Sequence, residues 1–120
     1  EFVTSGGYTV LCGKNNLQND ELTFHRADRS DIWFHAKGVP GSHVVLVCGG
    51  EAPDADMTEA AEIAAYYSGA SGGDNVAVDY TAVRNIKKPA GARPGYVIYH
   101  TNQTAYVTPD PDKIKSRKRH

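Results

Sequence analysis

Residues 31–47, DIWFHAKGVPGSHVVLV, restrict the fold more than any other part of the chain. Side chains of a strand alternate between two faces, so a strand here puts Ile32, Phe34 and Ala36 together and sends Trp33, His35 and Lys37 the other way. Val39-Pro40-Gly41-Ser42 is a turn signal, and the apolar run that follows has the length of a second strand. The expectation is a strand near 31–37 paired with another at 43–48. Both of its faces carry bulky groups, so such a sheet needs a cover on each side.

The rest of the chain supplies further strands, one long helix that can cover one face, and remaining strands that can cover the other. YTVLCG (8–13) is rich in β-formers and ends in a Gly-Lys-Asn-Asn turn. NDELTFHRA (19–27) suits a short helix capped by Asn19 or Asp20. Asp56 with Glu59 three residues later has the spacing of a capping box, which predicts a long alanine-rich helix through 57–68, closed by Gly69 or by Gly72 and Gly73. VAVDYTAV (76–83) alternates Val76, Val78 and Tyr80 against Ala77, Asp79 and Thr81. A basic loop, RNIKKPAGARPG, follows, and YVIYH and AYVTP read as a terminal hairpin. The sum is an α+β domain: a small mixed, mostly antiparallel sheet of five or six short strands, packed with one long Ala-rich helix and one short helix. By spacing alone, Trp33 is more often packed, here beneath the Asp56 helix, than exposed as a stacking platform.

A chain of 120 residues fits one domain that buries roughly two thirds of its unfolded surface, with no need for disulfides or metal. Cys12 and Cys48 lie in expected strands without Cys-x-x-Cys spacing and read as small packed thiols. No apolar run approaches the ~18 residues of a membrane span, and the N-terminus shows no export signal, so a soluble, cytoplasmic protein is expected. Net charge is −1 but uneven: KIKSRKRH (113–120) holds five of the 13 Lys and Arg and no acid, which leaves residues 1–112 acidic. The domain is therefore expected to span 1–112, followed by a basic tail, 113–120, that is mobile or continues into a further segment. Glu51 to Glu62 holds five acids and no base, whereas Arg84, Lys87, Lys88 and Arg93 fall within ten residues. A polyanion would meet one patch, not the whole surface.

Two sets of residues carry candidate chemistry. Gly38, Gly41 and Ser42 can bring backbone N–H groups to an anion, with Lys37, His35 and His43 as donors and Trp33 as a stacking surface. Arg84, Lys87, Lys88 and Arg93, held on a loop stiffened by Pro and Gly, suit a phosphate backbone. Ser42 and His43 are neighbours on a strand and point apart, so they make no nucleophile and base pair. No metal-, nucleotide- or nucleophile-elbow motif is present in context, and no enzyme, cofactor or metal is expected.

GKNNLQND (13–20), DIWFHAKGVPGSHVVL (31–46), AAEIAAYYS (60–68), VDYTAVRNIKKPAGARPGYVIY (78–99) and TAYVTP (104–109) together resemble the NFACT-R domain. That is the C-terminal RNA-binding domain of the RqcH and NEMF family of ribosome-associated quality-control factors, whose bacterial members are also called fibronectin-binding proteins. Trp33, His35, Lys37, Pro40, Gly41, Ser42 and His43 match its W-x-H-x-K and P-G-S-H pattern, and Asp79, Tyr80, Lys87, Lys88 and Pro89 its D-Y-T and K-K-P segments. The resemblance implies contacts with tRNA and the large ribosomal subunit, and with other domains of a parent protein. Such a parent engages obstructed subunits carrying peptidyl-tRNA and adds C-terminal tails to stalled nascent chains. The family's Asp-Arg pair linked to tRNA handling lies in its N-terminal domain, so this segment alone is not expected to support tailing. Other readings of the same loops are a protein-docking module, on a ribosomal protein or sibling domain, and a fibronectin-binding adhesin.

Overall fold

A computed structural model describes residues 1–119. Six strands form one sheet: β1 (Phe2–Val3), β2 (Thr9–Cys12), β3 (Ile32–Ala36), β4 (Val44–Val47), β5 (Val76–Ala82) and β6 (Gln103–Val107). Their order is β1-β2-β4-β3-β5-β6, and every pair is antiparallel, where a partly mixed sheet was expected. Three helices complete the fold: α1 (Asn16–Glu21), which runs into a π turn at Leu22–Arg26, α2 (Asp54–Tyr66) and α3 (Pro111–Ser116). A 3-10 turn at Val83–Asn85 follows β5.

The 31–47 stretch pairs as its pattern demands, with Trp33 opposite Val45 and Phe34 opposite Val44. The two faces of β3 then meet different layers. On one, Ile32, Phe34 and Ala36 join Leu46 and Val78 against α2, whose Ala60, Ala61, Ala64 and Ala65 are wholly buried. Short side chains allow that helix to lie close to the sheet, and Ile63 fills the remaining space. On the other face, Trp33 and Val45 pack with Leu22, Val83 and Ile86, flanked by Phe24, Val97 and Tyr99. Trp33 is fully buried as spacing suggested, but its cover is the α1 layer and the loop after β5, not α2.

Other departures share one cause: tertiary partners took the groups that local patterns had assigned elsewhere. The cap of α1 is Asn15, whose side chain accepts from the Gln18 N–H at 2.8 Å, and Asn19 instead turns into the fold. Asp56 and Glu59 form no capping box. α2 starts three residues earlier, at Asp54, and these carboxylates accept from the turn between β1 and β2: Glu59 from the Ser5 N–H (2.7 Å) and hydroxyl (2.6 Å), Asp56 from the Gly6 N–H (2.9 Å). The helix stops at Tyr66, ahead of the glycines, where the Ser68 hydroxyl donates to the Ala65 carbonyl. Residues 96–100 form no hairpin with β6. Their one β-type bridge is between Ile98 and Lys87, each N–H donating to the other's carbonyl at 2.9 Å. The basic stretch from residue 113 to 119 packs against the rest of the domain. Ile114 is buried in the α2 core, the Arg117 guanidinium lies 3.3 Å from Glu59, and Phe2 bridges to Lys118. Both cysteines are free thiols, half-buried in the strand layer.

Candidate nucleic-acid interface

The hairpin turn between β3 and β4 is built into the fold from both sides. Gly38 takes a left-handed conformation (φ 71°) that glycine adopts without cost. Gly41 bridges to Ser68 just beyond α2: Ser42 donates its N–H to the Tyr67 carbonyl (2.9 Å) and Gly69 donates to the Pro40 carbonyl (2.8 Å). His43 donates its N–H to the Asn19 side chain (3.0 Å), and its ring Nδ1 lies 2.7 Å from the Thr23 hydroxyl. The N–H groups of Ser42 and His43 are therefore occupied inside the protein, so the turn does not offer them to an anion.

Beside the turn lies an aromatic cluster. Trp33 stacks on His35 (5.7 Å between ring centroids, 7° between planes) and meets His43 and Tyr99 edge-on at 5.2 and 5.1 Å. Burial, then the neighbouring His35, pushes the His43 pKa down to about 4, and burial lowers that of His35 as well. At neutral pH both rings are uncharged, so neither histidine adds positive charge to the platform. Next to them the buried Asp79 accepts from the Tyr99 hydroxyl at 2.6 Å and the Thr104 hydroxyl at 2.8 Å. Burial and then this carboxylate raise the Tyr99 pKa well above its usual 10. Lys37, its side chain 60% exposed, stands 3.9 Å from Asp79 at the rim.

A cleft of about 330 Å³ opens between the turn at Gly38–Pro40 and the segment Gly95–Tyr99. Trp33, His35 and His43 form its floor. Tyr96, half exposed, stands at its wall. Asp20 fixes the loop that makes the second wall, accepting from both the Lys88 ammonium (2.9 Å) and the Gly95 N–H (3.1 Å). Although burial alone would raise it, these two bonds hold the Asp20 pKa below the usual carboxylate value.

The remaining basic residues sort by layer. α2 and its approach, 51–66, carry five acids and no base. They are met by the docked C-terminal stretch: Arg117 pairs with Glu59, and with Lys113 it offsets the upward push of burial on Glu62. The layer over Trp33, residues 13–30 and 83–99, holds seven Lys or Arg against three carboxylates. Arg26, Arg29, Arg84, Lys87 and Arg93 are exposed there, and no carboxylate among the described residues lies within 4 Å of them. Arg84 donates its N–H to the Arg29 carbonyl at 3.1 Å, which sets the two arginines side by side. Arg26 and Arg29 do not stand out from sequence, since HRADRSD mixes signs. Only the pairing of the 27–31 turn with the start of the basic loop adds them to Arg84.

The structure thus brings Trp33, His35, Lys37 and His43 together, places Gly41 and Ser42 behind them as framework, and sets the 84–93 loop along the same layer. Residues 1–101 match the family described as the NFACT protein RNA binding domain. The chain belongs to this family. An Rqc2 homolog RqcH of Streptococcus suis is 50% identical over 98% of the chain, and one of Bacillus subtilis 48% identical over 98%. The chain spans only about a fifth of the length of these relatives, 21% and 20%. Among solved structures, the C-terminal part of the fibronectin/fibrinogen-binding protein of Streptococcus suis superposes with a TM-score of 0.95 at 47% identity, covering 98% of this chain and 47% of that one. No helix among the described residues is long and apolar enough to cross a membrane.

Proposed function

We propose that this NFACT-R domain binds RNA through the layer that covers Trp33, as a non-catalytic module of a cytoplasmic factor of the RqcH type. The observation that carries this reading is the segregation of charge: seven bases against three acids on that layer, five acids and no base on α2 and its approach, 51–66. Arg84, Lys87 and Arg93 contact phosphates, joined by Arg26 and Arg29, with Lys37 at the rim of the aromatic cleft. Lys88, tied to Asp20, holds the loop in position, while Gly41, Ser42 and His43 shape the turn and Trp33 and His35 the floor. In a parent protein the RNA is tRNA or the large ribosomal subunit, and the parent engages obstructed subunits and extends their stalled chains. The relatives' identity supports this assignment.

The test is equilibrium binding of an elongator tRNA to the chain as a function of salt. Reversing Arg84 and Lys87 to Glu is expected to weaken binding and to flatten the salt dependence by roughly 0.7 to 0.9 logarithmic units for each phosphate no longer neutralised. No binding by the unaltered chain at low salt, or binding indifferent to both reversals, defeats the proposal. A second reading, protein docking, is favoured by the fibronectin/fibrinogen-binding name of the structurally similar relative. Capture of fibronectin that survives nuclease and high salt would favour it.

A further inference from the structure

From the cleft beside the hairpin turn we infer a pocket for a single unpaired nucleobase, stacked on Tyr96 over the Trp33 floor. This deepens the RNA-binding reading and rests on it. The cleft is of the size small-ligand sites have, about 330 Å³, and its lining carries no charged side chain. A phosphate would find no countercharge inside. A flat neutral ring with hydrogen-bonding edges would find both surfaces it needs.

The first surface is aromatic. Tyr96 is 50% exposed on a segment whose neighbours Val97 and Tyr99 are turned onto Trp33, so the ring stands free at the cleft mouth with its backbone fixed. Base–aromatic stacking of this kind tolerates any base, because each has a π face. Trp33 itself is fully buried and supports the floor without offering a face to solvent.

The second surface is polar and neutral. The indole N–H of Trp33, in the residue at the cleft floor, has no acceptor among the described residues, although buried donors are nearly always paired. A base carbonyl or ring nitrogen is an acceptor of the right kind. His35 and His43 border the same space with both rings uncharged at neutral pH, so they neither repel nor attract charge there, although the His43 Nδ1 is already engaged by the Thr23 hydroxyl. Lys37, exposed at the turn, and the 84–93 loop lie outside the cleft, where the phosphates flanking an inserted nucleotide would emerge.

The experiment uses two RNA hairpins that differ only at one unpaired loop position, 2-aminopurine in one and an abasic residue in the other, titrated with residues 1–120 at low salt. Expected are a change in 2-aminopurine fluorescence on binding, and a loss of about 5- to 150-fold in affinity for the abasic hairpin, the range that one stacked base supplies. Tyr96→Ala should lose a similar factor on the 2-aminopurine hairpin and nothing further on the abasic one, whereas Tyr96→Phe should stay within about twofold of the unaltered chain. Because Tyr96 is half exposed, these variants should fold, and equal melting temperatures verify it. Equal affinity for both hairpins, or indifference to Tyr96→Ala while Arg84→Glu still weakens binding, overturns the pocket and leaves the electrostatic reading standing. Failure of the unaltered chain to bind either hairpin overturns both.

Discussion

Replacing Tyr99 by Phe tests how the segment after β5 is held on the sheet. The hydroxyl donates 2.6 Å to Asp79, a buried carboxylate whose other short bond comes from Thr104. Lys37, at 3.9 Å and mostly in solvent, adds little. Losing a hydrogen bond to a charged acceptor costs about 1.5 to 3 kcal/mol, because the carboxylate keeps its desolvation without the bond that offset it. For 120 residues the unfolding entropy near the midpoint is about 0.25 kcal/mol/K, so each kcal/mol lowers Tm by about 4 °C. A drop of about 6 to 12 °C is expected by calorimetry. Thr104→Val alone should also destabilise, and the double variant should depart from the sum by more than about 0.5 kcal/mol, since both donors share one acceptor. The sign of the pH effect provides a second check. Tyr99 has a folded pKa raised above its unfolded 10, so its contribution is complete below pH 10 and is lost as pH rises from there towards the folded value. Tyr99→Phe should remove that alkaline component. A Tm shift under about 2 °C, or an unchanged alkaline limb, refutes the claim that this bond pins the loop.

Other substitutions probe the frame of the cleft. Gly41→Ala would put a methyl 2.9 Å from Ser68 Cβ and 3.2 Å from the Tyr67 carbonyl, and should cost about 1 to 3 kcal/mol in urea unfolding, with no loss if the turn can shift. His43 is lowered from 6.5 to about 4, so the unfolded chain takes up its proton first on acidification. Stability should fall from pH 6.5 downward, by up to about 3 kcal/mol near pH 4, and His43→Gln should flatten that limb of a urea-midpoint series. Glu59→Ala removes the acceptor of two Ser5 donors and the partner of Arg117, and should speed amide exchange at Ser5 and Val3 ahead of the central strands.

The two-faced hairpin was readable because a period of two over 31–37 leaves little choice about which side chains travel together. The same logic failed at YVIYH. Val97 and Tyr99 do alternate inward, but they do so as a lid on Trp33, and β-propensity measures fit to a pleated surface without saying whether the backbone joins the ladder. Helix starts were misplaced for a related reason. Asn15, Asn19 and Asp20 are all good caps, and only contacts far along the chain, Gly41 and His43 for Asn19 and Lys88 and Gly95 for Asp20, decide which one is left to cap. The site was visible as a density of polar and aromatic residues. Which face its tryptophan served was not, because either cover satisfies the spacing. Nor could the neutrality of His35 and His43 be read, since it comes from burial.

The two edges of the sheet are β1 and β6, and the β1 edge is occupied by the chain's own basic stretch: the Val3 N–H donates to the Arg117 carbonyl at 2.9 Å, and Phe2 bridges to Lys118. Unpaired strand edges invite copies of a protein to zip together. Residues 117 and 118 therefore act as a stopper against self-assembly, and shortening the chain before Arg117 should yield a protein that still forms its core but grows into oligomers along β1 as its concentration rises.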